Sequence, residues 1–257
     1  MRAELVLEPG MLYGFLLVLA RVAGAFLFVP MPGFRTSPEA PRIVLALSLT
    51  MALFPAWPSV SISEPLLGRL TGWLLAEAAF GLTVGLAVAF LAEAFLVGAQ
   101  ILGLQAGYSY ASTIDPSTEA DSSVLQVLSQ LAAALLFFSF GMERQIIRVF
   151  ARSLEVYPAG AYVATLGSAE AIFRLGSGMF VTGFELAMPV LALLLLIEIA
   201  LALLGRINSQ LQLLILAFPA KMLAAIILLA AISPVVPVLY ESAAQRTLRV
   251  LFRLTGI

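Results

Sequence analysis

The sequence contains no cysteine and no histidine. Without thiol or imidazole there can be no disulfide, no Cys or His nucleophile or base, and no zinc or haem site built on those ligands. An enzyme made from this chain would have to work with carboxylates, Lys, Ser and Tyr. Charge is also scarce. Of the 257 residues 11% are charged and 61% hydrophobic, whereas soluble domains carry roughly 25% and 45–50%. So few charges cannot cover a water-facing surface, and the composition is that of an integral membrane protein. The formal net charge of −1 leaves no excess of Lys and Arg to neutralise phosphates, which excludes a strongly basic nucleic-acid binder. No phosphate-cradling Gly-x-x-x-x-Gly-Lys run occurs.

What is there is a series of apolar runs. Met11 to Val29 is long enough for a first transmembrane helix; it is too long for a signal-peptide core, and no small-residue cleavage site follows it. Ile43 to Trp57 is shorter, and could just cross or be re-entrant. Leu70 to Leu104 is nearly continuous and, as one helix, would run about 50 Å, well beyond a hydrocarbon core of about 30 Å. Val124 to Phe140 follows, broken by Gly141. Glu143 to Arg152 is amphipathic, with Arg144, Arg148 and Arg152 in a stripe expected to face water or lipid headgroups. Ala171 to Leu204 is again overlong. Leu211 to Ile232 is followed by Pro234, Pro237 and a tail carrying Arg246, Arg249 and Arg253. If six segments cross, one side collects Arg2, Arg69, Arg144, Arg148, Arg152, Arg174, Arg246, Arg249 and Arg253, and the other Arg35, Arg42 and Arg206. That imbalance puts both termini in the cytoplasm.

Six charges interrupt the apolar runs: Arg21, Glu77, Glu93, Glu185, Glu198 and Lys221. A charge at the bilayer centre costs at least about 2.5–3.5 kcal/mol on insertion scales, so each is a candidate for burial against protein, water or an interface. Salt bridges or segments outside the bilayer explain them more economically than a proton or ion path, because the overlong runs already imply helices that project beyond the membrane. No two carboxylates are spaced as a catalytic dyad; Glu77 and Glu93 would lie about 24 Å apart on one straight helix. Gly81 and Gly85, four apart, make a face suited to close helix contact, and Gly98 and Gly103 extend the series.

The stretch around which the chain is organised is Gly98 to Pro116. It closes the long run with glycines and with Gln100 and Gln105, whose amides need partners in an apolar setting. It then becomes a small, hydroxyl-rich segment ending in Asp115-Pro116, which stops a helix. On residue types alone this is a helix end and a polar loop packed among other elements. Here the chain resembles the FliR family of flagellar export-gate proteins and their injectisome counterparts of the SpaR, YscT and EscT group. The pattern is Gly98…Gln105-x-Gly107…Ala111-Ser112…Asp115-Pro116. The likeness continues through Leu19-Ala20-Arg21-Val22-Ala23-Gly24, Pro41-Arg42, Phe137-Phe138, Pro158-x-Gly160, Leu186-Ala187-Met188-Pro189, Leu204-Gly205-Arg206 and Phe218-Pro219-x-Lys221. Ser209 stands where the family commonly has Pro, Gln212 where it commonly has Asn, and Met142-Glu143 where small or His residues are common.

The resemblance implies an all-α membrane protein of the bacterial inner membrane, sited in a flagellar or injectisome basal body. Residues 1–165 would be FliP-like and residues 166–257 a FliQ-like hairpin with an amphipathic tail. It implies a core subunit of a type III export gate, assembled with FliP- and FliQ-like subunits beside FlhB- and FlhA-like components, through which unfolded substrates pass. It implies a plug in the loop at about residues 106–122, carried by Gln105, Gly107, Tyr108, Ser109, Tyr110, Ala111, Ser112, Thr113, Asp115 and Pro116. It calls for no catalysis, cofactor, metal or nucleic acid. The alternative from composition is a small multi-pass proton- or ion-coupled transporter, although the paired inverted halves expected of one are not evident. An intramembrane enzyme is disfavoured by the lack of His and Cys.

Overall fold

The computed structural model describes residues 9–28, 39–58, 67–108, 124–157, 160–163, 165–207 and 213–256. The helices are α1 (Pro9–Phe26), α2 (Glu39–Ala52), a 3-10 turn at Phe54–Ala56, α3 (Leu67–Ala106), α4 (Val124–Ser139), α5 (Met142–Val156), α6 (Leu166–Ile207), α7 (Leu213–Ile232) and α8 (Val235–Leu254). No strand occurs among the described residues, so the fold is all-α, as the apolar runs predict. Two helices, α3 and α6, are individually long and apolar enough to cross a membrane; α4 with α5, and α7 with α8, meet that test as pairs.

Local chemistry sets the helix ends. At the end of α3, Gly107 adopts φ +88°, a conformation open to glycine at little steric cost. Its N–H donates to the Leu104 carbonyl at 3.2 Å, and the Tyr108 N–H donates to the Gly103 carbonyl at 2.9 Å. These are the two bonds of a Schellman cap, which satisfies carbonyls the helix would otherwise leave open. α6 begins five residues before the apolar run itself. Its start is a reciprocal cap: the Ser168 N–H donates to Thr165 Oγ1 at 3.2 Å, and the Thr165 N–H donates to Ser168 Oγ at 2.9 Å. Pro237 sits in the first turn of α8, where its missing N–H costs nothing. Pro189 and Pro219 lie inside α6 and α7.

The chain forms two compact units. Unit 1 comprises Met1–Phe90, Gly141–Gly176 and Gln245–Ile257. Its core is built from Leu17, Val18 and Val22 of α1, Phe80, Val84 and Ala87 of α3, and the inner face of α5. On α5 the buried residues are Met142, Ile146, Val149, Phe150 and Ser153, while Arg144, Arg148 and Arg152 are exposed. The basic stripe therefore faces outward, as its spacing implies. Unit 2 comprises Leu91–Phe140 and Ser177–Ala244. Leu102 and Ala106 of α3, Leu125 of α4, Ala187, Val190 and Leu194 of α6, and Ala225 of α7 form one buried cluster there.

Glycines allow the close crossings within each unit. In unit 1, a Cβ on Gly81 or Gly85 of α3 would overlap the backbone of Arg21 or Ala25 on α1, and one on Gly24 of α1 would stand 2.5 Å from the Ala78 carbonyl oxygen. In unit 2, Gly98 and Gly183 meet in the same way, a Cβ on Gly98 standing 2.9 Å from the Gly183 oxygen. Gly103 is buried in α3.

Candidate functional site

In unit 2 the polar groups gather where the chain leaves α3. Gln105, beside the fully buried Ala106, donates from Nε2 to Glu198 Oε2 at 2.9 Å. The same carboxylate oxygen receives the Lys221 ammonium at 3.1 Å. Glu198 lies one helical turn beyond the buried Leu194, and Lys221 one turn before the buried Ala225. The three polar residues thus lie at the end of this buried cluster, next to the apolar residues of α3, α6 and α7. Next along the chain, a Cβ on Gly107 would stand 2.8 Å from Phe218 Cδ1, so the turn is pressed against α7. The Tyr108 hydroxyl donates to the Met222 carbonyl at 3.0 Å, and its ring packs on the buried cluster. Burial pushes the Tyr108 phenol up from its usual range, so it remains a proton donor.

These contacts bring together Gln105, Gly107, Tyr108, Glu198 and Lys221 from the sequence-derived candidates. Ser109, Tyr110, Ala111, Ser112, Thr113, Asp115 and Pro116 lie outside the described residues.

In unit 1 two more of the internal charges, Arg21 and Glu77, pair with each other. Arg21 Nε donates to Glu77 Oε2, and both side chains are 1% exposed. Arg21 Nη1 donates to Ser153 Oγ at 2.8 Å. The second carboxylate oxygen of Glu77 accepts the Gly160 N–H at 2.9 Å. The Arg21 guanidinium carbon lies 4.7 Å from the centroid of the Phe80 ring, within cation–π range. Phe80 in turn meets Tyr162 edge-on at 5.1 Å and Tyr157 at 6.3 Å. One ion pair therefore ties α1, α3, α5 and the turn at Gly160 into one node. Removing either partner would leave a buried charge uncompensated, at a cost of about 3–5 kcal/mol. The node holds the fold together and presents no reactive group to solvent.

Glu93 on α3 and Glu185 and Glu198 on α6 stand at exposed positions, so these three are not buried charges. Apolar runs that read alike in sequence thus place some carboxylates inward and others outward. Sequence reading gave no role to Ser153 or Gly183, and named Gly24 and Gly160 only within the family-like motifs. Ser153 carried a signal, being the one hydroxyl on the otherwise apolar inner face of α5; the contact that Gly160 makes could not be read, because it is through a backbone N–H. Among the described residues no group of three or more His, Cys, Asp or Glu could hold a metal ion.

Comparison with known proteins completes the description. Residues 12–247 match the family model described as bacterial export proteins, family 1. The flagellar biosynthetic protein FliR of Escherichia coli (strain K12) is 29% identical over 219 residues, covering 85% of this chain and 83% of that protein. The protein of the same name from Bacillus subtilis (strain 168) is 27% identical, covering 95% of this chain and 96% of its own length. The surface presentation of antigens protein SpaR of Salmonella typhimurium is 25% identical over 93% of this chain and 87% of that protein.

Proposed function

The chain belongs to the bacterial export proteins, family 1, and on that premise we propose that it is a core, non-catalytic subunit of a type III export gate. Membership makes it a membrane component of a bacterial flagellar or type III export apparatus. In the finer reading it assembles with FliP- and FliQ-like subunits in the inner membrane, next to FlhB- and FlhA-like components, with both termini cytoplasmic. Residues 1–165 take the FliP-like place and residues 166–257 the FliQ-like one. The segment that starts at Gln105 closes the channel to ions until an unfolded substrate enters.

The observation that carries this reading is helix α6. Its 42 residues have a contour length of about 63 Å, roughly twice the hydrocarbon thickness. Only 22% of its most apolar window is buried within the chain. Phe173, Phe180, Phe184, Leu196, Leu203 and Ile207 are all exposed. Lipid can cover about half of such a helix; the remainder needs neighbouring helices.

The test is a mild-detergent pull-down of the tagged chain from its host, with mass spectrometry of what is recovered. FliP- and FliQ-like proteins in a stable complex are expected. A monodisperse chain without partners would overturn the assignment and bring forward an ion-coupled carrier. The gate element is tested by deleting Tyr108–Thr113 and measuring dye leakage through the assembled complex; the deletion should raise the leak.

A further inference from the structure

Of the 14 basic residues in the sequence, 13 are arginine and one, Lys221, is lysine. It sits inside the strongly apolar α7, two residues after Pro219, with its side chain only 13% exposed. A lone cation at such a place is costly unless something fixed requires it. Apolar residues at both 198 and 221 would serve the core as well, since replacing a whole ion pair with apolar residues is often neutral or stabilising. General stability is therefore a poor account of why the charge is there. Its surroundings offer a better one. Lys221 and Gln105 converge on the same oxygen of Glu198, and Phe218, one turn before Met222 on the same helix, covers Gly107. Met222 takes the Tyr108 hydroxyl. Apart from the Lys221–Glu198 pair itself, the polar bonds of the group end on the last turn of α3, at Gln105, or just beyond it, at Tyr108.

We propose that Glu198 and Lys221 are positioning residues that clamp the exit from α3 onto α6 and α7, so that the chain departs from a fixed point and in a fixed direction at Tyr108. Lys221 orients the Glu198 carboxylate by its charge. Glu198 then holds the Gln105 amide, whose neighbour Ala106 is sealed in the core. Phe218 and the Met222 carbonyl hold the next two residues. The inference rests on the gate reading for its consequence, a low leak in the closed complex, but the clamp itself is a property of residues 105–108 and can be measured separately.

The sequence has no cysteine, so Ala106→Cys supplies a unique thiol in this subunit at a position that is 0% exposed. In the assembled complex this thiol should resist a soluble maleimide. Adding Lys221→Met or Glu198→Gln should raise its labelling rate about tenfold or more by increasing local opening. The leak should rise in the same variants while the yield of complex stays level, a pairing that a merely structural role would not give. Lys221→Arg, and the reversed pair Glu198→Lys with Lys221→Glu, should restore protection. Tyr108→Phe removes one hydroxyl without disturbing the ion pair; it should raise labelling by a smaller factor, and it carries the test if the charge variants do not assemble. An unchanged labelling rate in Lys221→Met and Glu198→Gln, or in Tyr108→Phe in that event, would overturn the clamp. If labelling responds but deletion of Tyr108–Thr113 leaves the leak unaltered, the clamp stands and the gate reading falls.

Discussion

At the scale of single residues, the buried node of Arg21 and Glu77 shows how a membrane-type chain handles internal charge. The carboxylate is used on both oxygens, by Arg21 and by the Gly160 N–H, and the guanidinium lies against Phe80. Glycine matters here because of space. A Cβ on Gly81 would run into the Arg21 carbonyl oxygen, which is backbone and cannot rotate away, whereas one on Gly178 meets nothing within 4 Å. Gly81→Ala should therefore lower stability by about 1–3 kcal/mol or more through overpacking, and Gly178→Ala should leave it level or slightly raised. The midpoint of detergent or thermal unfolding of the two purified variants separates them; equal midpoints would mean that α1 and α3 do not cross this closely.

Among the elements, α5 has the sharpest division of faces. Phe150 is 1% exposed while Arg148 projects outward. Phe150→Ala should cost about 3–5 kcal/mol, and Arg148→Ala about 0.5 kcal/mol or less. Unfolding midpoints again provide the measurement, and a similar loss in both would place α5 differently. Most of this face could be read from the sequence, because Ile146, Phe150 and Leu154 recur at helical spacing between arginines, although Ile147, which the same pattern includes, is 42% exposed. α3 is the opposite case. It is apolar on all sides, so no periodicity told Glu77, which is buried, from Glu93, which is exposed. The helix spans themselves followed from the apolar runs to within a few residues. The extra turn at the start of α6 was missed because Thr165 and Ser168 cap each other through side chains, a local bond that leaves no trace in a hydrophobic pattern. At the α3 exit the residue types pointed to Gln105 and Gly107, but their partners Glu198 and Phe218 are about a hundred residues away in sequence and only the fold joins them.

For the molecule as a whole, the uncovered surface of α6 matters most. Leu196 is 61% exposed, so Leu196→Lys should leave the chain's own packing intact while costing about 2.5–3.5 kcal/mol wherever that face meets lipid or an apolar partner. The expected outcome is normal synthesis with reduced recovery in the assembled complex; full recovery would mean that this face meets water. The node at Arg21 has a further consequence, for biogenesis. Arg21 precedes Glu77 by 56 residues, and at translation rates of about 5–20 residues per second the arginine leaves the ribosome roughly 3–11 s before its counter-charge. During that interval α1 carries a charge whose partner in the folded chain has yet to be made. The first helix is therefore poorly suited to partition alone into lipid, and its insertion is coupled in time to the synthesis of the third.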